Sequence, residues 1–135
     1  MREVKFRGMH KTSSKWIYGG YVPFYPEKGE ASISYFRKDD KFGYLEECNF
    51  VLPNTIGQYI GSNDKNGKEI YEGDIVKGEM GKMDFFNGNT DIAVVEYIDG
   101  GFYPFANDQD EAPYPDPSKI EVIGNIHENP ELLNG

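Results

Sequence analysis

Apolar and polar positions alternate along this chain in short runs, and a turn-forming group follows almost every run. Val4 and Phe6 alternate with Lys5 and Arg7, which predicts an opening strand with Val4 and Phe6 on one face. The polar segment 10–15 fits a turn. Trp16-Ile17-Tyr18 starts a second strand, which Gly19-Gly20 interrupts or bends before Tyr21-Val22. Segment 23–29 carries Pro23, Pro26 and Gly29 and reads as a loop. Ile33 to Phe36 is strand-like, 37–41 is a charged turn, and 44–52 is extended with Phe50-Val51-Leu52 as its most buried part. Pro53 ends that strand, and 55–59 begins another.

The clearest folding signal lies in 56–76, where two strand-like runs flank Asp64-Lys65-Asn66-Gly67. Gly67 accepts positive φ without steric cost and Asn66 tolerates the left-handed region, so a hairpin is expected. A second tight turn follows at Glu72-Gly73-Asp74, with Asp74 placed to accept backbone amides. Segment 78–89 is irregular. Ile92 to Tyr97 is the best isolated strand, Asp99-Gly100-Gly101 is a turn, and Phe102 to Phe105 runs back. Segment 106–119 holds four acids and three prolines and reads as an exposed acidic loop. Segment 120–126 is a final strand. Asn129-Pro130-Glu131 then has the features of a helix start: a capping amide, proline at the first position and an acid at the positive end of the dipole.

No segment sustains three turns of 3.6-residue periodicity. Short strands at short spacing predict a mainly β protein with antiparallel sheets. The expected architecture is a small SH3-like β-barrel or roll over 54–135, an additional N-terminal β-rich subdomain over 1–53, and a short C-terminal helix. Ile75, Val76, Val94, Val95, Tyr97, Val122 and Ile123 are the expected core of the barrel.

Charge sharpens this picture. Residues 1–76 carry 11 basic and 11 acidic side chains, and residues 77–135 carry 3 basic and 12 acidic, so the net charge of −9 lies wholly in the second part. Such a surface repels phosphate backbones, which disfavours nucleic acid as a partner of that part. Mean hydropathy is −0.66, and no apolar run approaches the about 20 residues of a membrane helix. The opening Met1-Arg2-Glu3-Val4 lacks a signal-peptide pattern, and Cys48 is the sole cysteine. A cytoplasmic protein without membrane contact is expected.

Candidate chemistry is sparse. Glu69, Glu72 and Asp74 are the carboxylates closest to a metal-ligand set, the one trace of a metal-dependent hydrolase, but Asp74 is better read as a turn residue. Asp108, Asp110, Glu111 and Asp116 lack the spacing of a Ca²⁺ loop. His10 and His127 have no second histidine or cysteine nearby, and the acids Glu46-Glu47 before Cys48 argue against a nucleophile there. No Gly-rich phosphate loop is present. No catalytic, cofactor-binding or metal-ligating residue is therefore assigned, and no cofactor is expected. The exception to this sparseness is aromatic. Tyr18, Tyr21, Phe24 and Tyr25 cluster beside a Pro-rich segment and are the candidate partner-binding residues, with a subunit interface as the plain alternative. With Arg2, Arg7, Lys11 and Lys15 they would also suit stacking on a single-stranded nucleic acid.

Three segments together resemble the YopX family of phage and prophage proteins. They are Lys5-Phe6-Arg7-Gly8 with Trp16-Ile17-Tyr18-Gly19; 55–76, from Thr55-Ile56-Gly57-Gln58-Tyr59 to Glu72-Gly73-Asp74-Ile75-Val76; and Val94-Val95-Glu96-Tyr97 with Gly101-Phe102, followed by 122–133. Ile60-Gly61-Ser62-Asn63 and the insert-like 78–89 depart from that pattern. The resemblance implies a phage or prophage origin, a β-barrel C-terminal domain and homo-oligomerisation. It implies no catalytic residues. The functional expectation is a non-enzymatic binding or assembly module that acts on itself and on an unidentified protein partner.

Overall fold

A computed structural model of the chain describes residues 4–23, 30–39, 41, 43–78, 92–98, 101–105 and 116–134. The described chain is mainly β, with no α-helix. It divides into two compact units, Met1–Tyr59 and Ile60–Gly135.

The first unit is an antiparallel sheet. Its strands are β1 (Phe6–Met9), β2 (Trp16–Pro23), β3 (Ala31–Asp39), β4 (Gly43–Val51) and the start of β5 (Gly57–Asn63), in the order β4-β3-β2-β1-β5. The turn after β1 forms as its polar sequence predicts. His10 N–H donates to Lys15 O at 2.8 Å, and the His10 ring Nδ1 accepts from Ser13 N–H at 3.1 Å. The opening strand begins at Phe6, not Val4, and Val4 is 65% exposed. Gly19-Gly20 does not interrupt β2. The strand runs through both glycines, and the absence of a β-carbon at Gly19 lets the Ser34 carbonyl of β3 approach it. The core of this unit is Ala31, Ile33 and Val51, with Phe6, Ile17 and Ile56 packed against it. A 3₁₀ turn at Pro53–Thr55 leads into β5, and the buried Thr55 hydroxyl accepts from Met9 N–H at 2.8 Å.

The second unit holds the end of β5 with β6 (Glu69–Tyr71), then β7 (Asp74–Lys77), β8 (Ile92–Val94), β9 (Glu96–Ile98), β10 (Gly101–Tyr103) and β11 (Glu121–Asn125). Its sheets are β11-β7-β8 and β10-β9, both antiparallel. These strands do not close into a barrel, which corrects the expected architecture. The run 92–97 is not one strand. Val95 donates its N–H to Asp74 O and accepts from Gly73 N–H, both at 2.8 Å, so it leaves the ladder and separates β8 from β9. Closure needs every strand bonded on both sides, and β8, β9, β10 and β11 each pair with one neighbour among the described residues.

Ile70, Val76, Ala93, Val95, Phe102, Ile120 and Val122 form the core of the second unit, and Ile75 is also fully buried. Val94 and Ile123 are only half-buried, and Tyr97 is 58% exposed. Ile123 is the extra residue of a bulge, since Val122 opposes Val76 while Gly124 opposes Ile75. Tyr97 instead lies across from Phe102, edge to face at 5.2 Å.

Both expected turns that fall among the described residues form as the sequence suggests. Gly67 has φ 82° and Gly73 has φ 89°; Gly100 lies outside the described residues. Replacing Gly73 by valine is expected to cost more than about 1 kcal/mol, because a β-branched residue resists that region. Thermal melting of Gly73→Val against the parent chain checks this, and an unchanged midpoint would contradict it.

The predicted C-terminal helix is a 3₁₀ turn, Pro130–Asn134. The Asn129 side chain bends back to accept from Asn125 N–H at 3.2 Å. Asn129 N–H in turn donates to Asn125 O at 2.8 Å.

Candidate interaction surface

In an extended strand alternate side chains share a face, and directly opposed residues of neighbouring strands share it too. Arg7 lies opposite Tyr18, and Met9 opposite Trp16. Ser32 and Ser34 of β3 lie opposite Phe50 and Cys48 of β4. One face of the first sheet therefore presents Arg7, Trp16, Tyr18, Cys48 and Phe50, and the other carries the Ala31, Ile33 and Val51 core.

On the presented face the Arg7 guanidinium sits 4.4 Å from the centroid of the Trp16 ring. Arg7 is 4% exposed, so this cation–π contact is largely shielded from water and fixes both groups. On the same face Tyr18 and Phe50 are 45% and 43% exposed. Rigid, amphipathic rings with one pinned neighbour are the composition of a contact surface, since they bury large area at low entropic cost.

Of the four aromatic residues expected to act together, the two that are described, Tyr18 and Tyr21, lie on opposite faces of β2. Tyr18 is on the presented face. Tyr21, an odd number of residues further on, points to the core face and tilts against Phe6 at 5.7 Å. Phe24 and Tyr25 lie outside the described residues. Sequence reasoning missed Trp16 and Phe50 as members of the face. The signal was the β1–β2 turn, which fixes Arg7 opposite Tyr18 once Gly19-Gly20 is read as continuous strand.

Two aspartates of the second unit, Asp64 and Asp74, hold backbone. Asp64, buried, accepts from Asn66 N–H at 2.8 Å and Lys68 N–H at 2.9 Å through Oδ1, and from Val122 N–H at 2.9 Å through Oδ2. Burial alone would raise its pKa. The amides of Val122, Lys68 and Asn66, with the Lys68 charge, outweigh that and hold the carboxyl below its ordinary value. Asp74, fully buried, accepts from Tyr71 N–H at 2.8 Å, and Glu69 accepts from the Tyr71 hydroxyl at 2.9 Å. Both carboxylates thus brace the turn that Gly73 makes. Asn125 Oδ1 accepts from His127 N–H at 3.0 Å and Glu128 N–H at 2.9 Å. Asp116 is held below the ordinary carboxylate range by the Ser118 hydroxyl and N–H at the start of the 3₁₀ turn Pro117–Lys119. Asp108, Asp110 and Glu111 lie outside the described residues. Among the described residues no three histidine, cysteine or acidic side chains come together as a metal site, and no helix is long and apolar enough to cross a membrane.

The family described as "YopX: YopX protein" matches residues 5–134. The chain belongs to the YopX family. In this chain the 56–76 and 122–133 segments carry the backbone brackets just described: Asp64 and Asp74 in the first, Asn125 and Asn129 in the second. The crystal structure of protein EF1440 from Enterococcus faecalis is similar in fold, with a TM-score of 0.55 and 24% identity over 98% of this chain and 99% of that one. No curated protein matches the chain.

Proposed function

We propose that this YopX-family chain is a non-enzymatic binding and assembly module of a phage or prophage, acting as a homo-oligomer in the host cytoplasm. The observation that carries the reading is the presented face of the first sheet. There Tyr18 and Phe50 are exposed on the same face as the Arg7–Trp16 stack. Exposed rings on one sheet face mark a contact surface. The acidic balance of residues 77–135 makes the second unit a poor surface for self-contact, so the first unit is where copies meet.

Light scattering across a concentration series tests the assembly. A mass above that of one chain, rising with concentration, is expected. A mass of 15.4 kDa at every concentration, including low ionic strength, would remove the reading.

A second reading places single-stranded nucleic acid on the same face. It is favoured by the exposed Lys11 and Lys15 in the turn between Arg7 and Trp16, which add cations to a stacking platform. Binding of an unstructured oligonucleotide that weakens steeply with salt, and is lost in Tyr18→Ser, would support it.

A further inference from the structure

We propose that Asn66-Gly67 is a site of spontaneous succinimide-forming modification, that Asp64 guards it, and that the isoaspartate product holds the hairpin open.

Asn66 is followed by glycine, the residue that least obstructs ring closure by the asparagine before it. Asn66, Gly67 and Lys68 are exposed at the tip between β5 and β6. Only the backbone N–H of Asn66 is held; among the described residues its carboxamide enters no hydrogen bond and can swing toward the Gly67 nitrogen. The space beside Gly67 is open as well, since even a β-carbon built there would meet nothing within 4 Å.

Asp64 restrains the reaction, because this one residue takes three consecutive amides. Its Oδ1 accepts from Asn66 N–H at 2.8 Å and Lys68 N–H at 2.9 Å, and its carbonyl accepts from Gly67 N–H at 3.0 Å. Asp64 N–H donates to Lys68 O at 2.7 Å, and Lys65 N–H donates to Ile120 O at 2.9 Å, so the tip is tied down on both sides. The Gly67 nitrogen becomes a nucleophile only by giving up its proton. In the closed turn that proton is engaged by the Asp64 carbonyl. The Asp64 carboxylate, bonded to the amides on either side, also disfavours a second negative charge there. Opening of the turn releases both restraints.

Water is the one co-reactant needed. The deprotonated Gly67 nitrogen attacks Asn66 Cγ; the N–Cγ bond forms, the Cγ–Nδ2 bond breaks, and ammonia leaves. Water then opens the ring. Attack at Cγ restores the ordinary chain with aspartate in place of Asn66. Attack at the main-chain carbonyl carbon gives isoaspartate, with the chain running through Cβ and Cγ. The second route lengthens the chain between the Asn66 and Lys68 amides by one bond, about 1.5 Å. A single carboxylate oxygen then no longer reaches both at hydrogen-bonding distance. The other oxygen of Asp64 holds Val122, so a change at the exposed tip is carried to the core of the second unit.

The test uses the full chain, incubated in mildly alkaline buffer. Peptide mapping separates asparagine, aspartate and isoaspartate at position 66, and reads them apart from Asn87-Gly88 and Asn134-Gly135, the other two such pairs. Modification at Asn66 is expected to be at least about tenfold slower in the folded parent than in denaturant, because it proceeds from the opened population. Asp64→Ala is expected to speed it at least about tenfold under native conditions, and Gly73→Val, which weakens the same unit elsewhere, less than about twofold. Asp64→Asn takes the place of Asp64→Ala if the latter has no thermal transition. The purified isoaspartate form is expected to melt below the fresh parent. Asn66→Ser keeps the backbone N–H that Asp64 holds, and is expected to melt alike before and after incubation. Equal rates in the folded and denatured parent, or no modification of Asn66 in either, would overturn the proposal. So would equal acceleration in Asp64→Ala and Gly73→Val, which would make the whole fold and not Asp64 the guard. An isoaspartate form that melts like the fresh parent would remove the effect on the hairpin.

Discussion

Replacing Asp64 by alanine is expected to destabilise the second unit by about 3–5 kcal/mol, the sum of three lost amide contacts to a charged acceptor, part of it recovered by water at the exposed turn. One carboxylate closes the hairpin through Asn66 and Lys68 and, with its other oxygen, holds Val122 of β11. Val122 is a core residue opposite Val76. Losing the bond to Val122 leaves a buried N–H without an acceptor next to the core, whereas the other two amides lie in a turn that water reaches. Asp64→Asn is expected to fall between alanine and the parent chain. An amide has one acceptor oxygen, so either the turn or Val122 then faces an NH₂ group. Chemical denaturation of the three chains checks the order, and equal midpoints would refute the bracket.

The same carboxylate makes stability depend on pH in one direction. Its pKa in the folded chain is below the ordinary value of 3.8. The unfolded chain therefore binds the proton more readily, and stability contributed by Asp64 is fully present above the unfolded pKa. It is lost as pH falls through the folded pKa. Asp116 shifts the same way. The parent chain is expected to lose stability below about pH 4 more steeply than Asp64→Asn, which has no proton to take up at that position.

Local chemistry was legible in the sequence, and long-range bonding was not. Asp64 to Gly67 announces its hairpin because the turn needs only residues within it: Gly67 at positive φ, and Asp64 accepting two amides on. That Asp64 also reaches Val122, a residue 58 positions away, has no trace in local pattern. The break at Val95 has the same origin, since the run 92–97 alternates well as a single strand until the Gly73 turn captures its backbone. The C-terminal segment fails for the opposite reason. Asn129-Pro130-Glu131 carries sound helix-start signals, but the Asn129 side chain bonds back to Asn125 instead of capping forward. The presented face was partly legible. Tyr18 was identified, and Trp16 and Phe50 were not, because face membership depends on strand register. Tyr21 was grouped with Tyr18 by closeness in sequence, though strand parity separates the two once β2 is continuous.

That continuity rests on Gly19, and Gly19→Ala is expected to be the most damaging small substitution in the first unit. A β-carbon built there would lie 2.2 Å from Ser34 O, with Ser34 C at 3.0 Å. Backbone cannot swing aside as the end of a flexible side chain can, so β2 and β3 must separate. Ser34 opposes Gly20 in the β2–β3 ladder, and Ile33, fully buried, opposes Tyr21. Separation there opens the core of the unit as well as the sheet, and a cost of about 3 kcal/mol or more is expected. Gly20→Ala is the control, because its β-carbon would meet Ser34 O at 3.9 Å, an ordinary contact. It is expected to stay within about 1 kcal/mol of the parent chain. The difference also separates fold from function. Gly20→Ala should preserve the solution mass and any partner binding. Gly19→Ala should lose both together with its thermal transition, since Tyr18 is held on its face only while β2 lies flat against β3. Equal melting temperatures for the two variants would show that β3 does not approach Gly19 as closely as described.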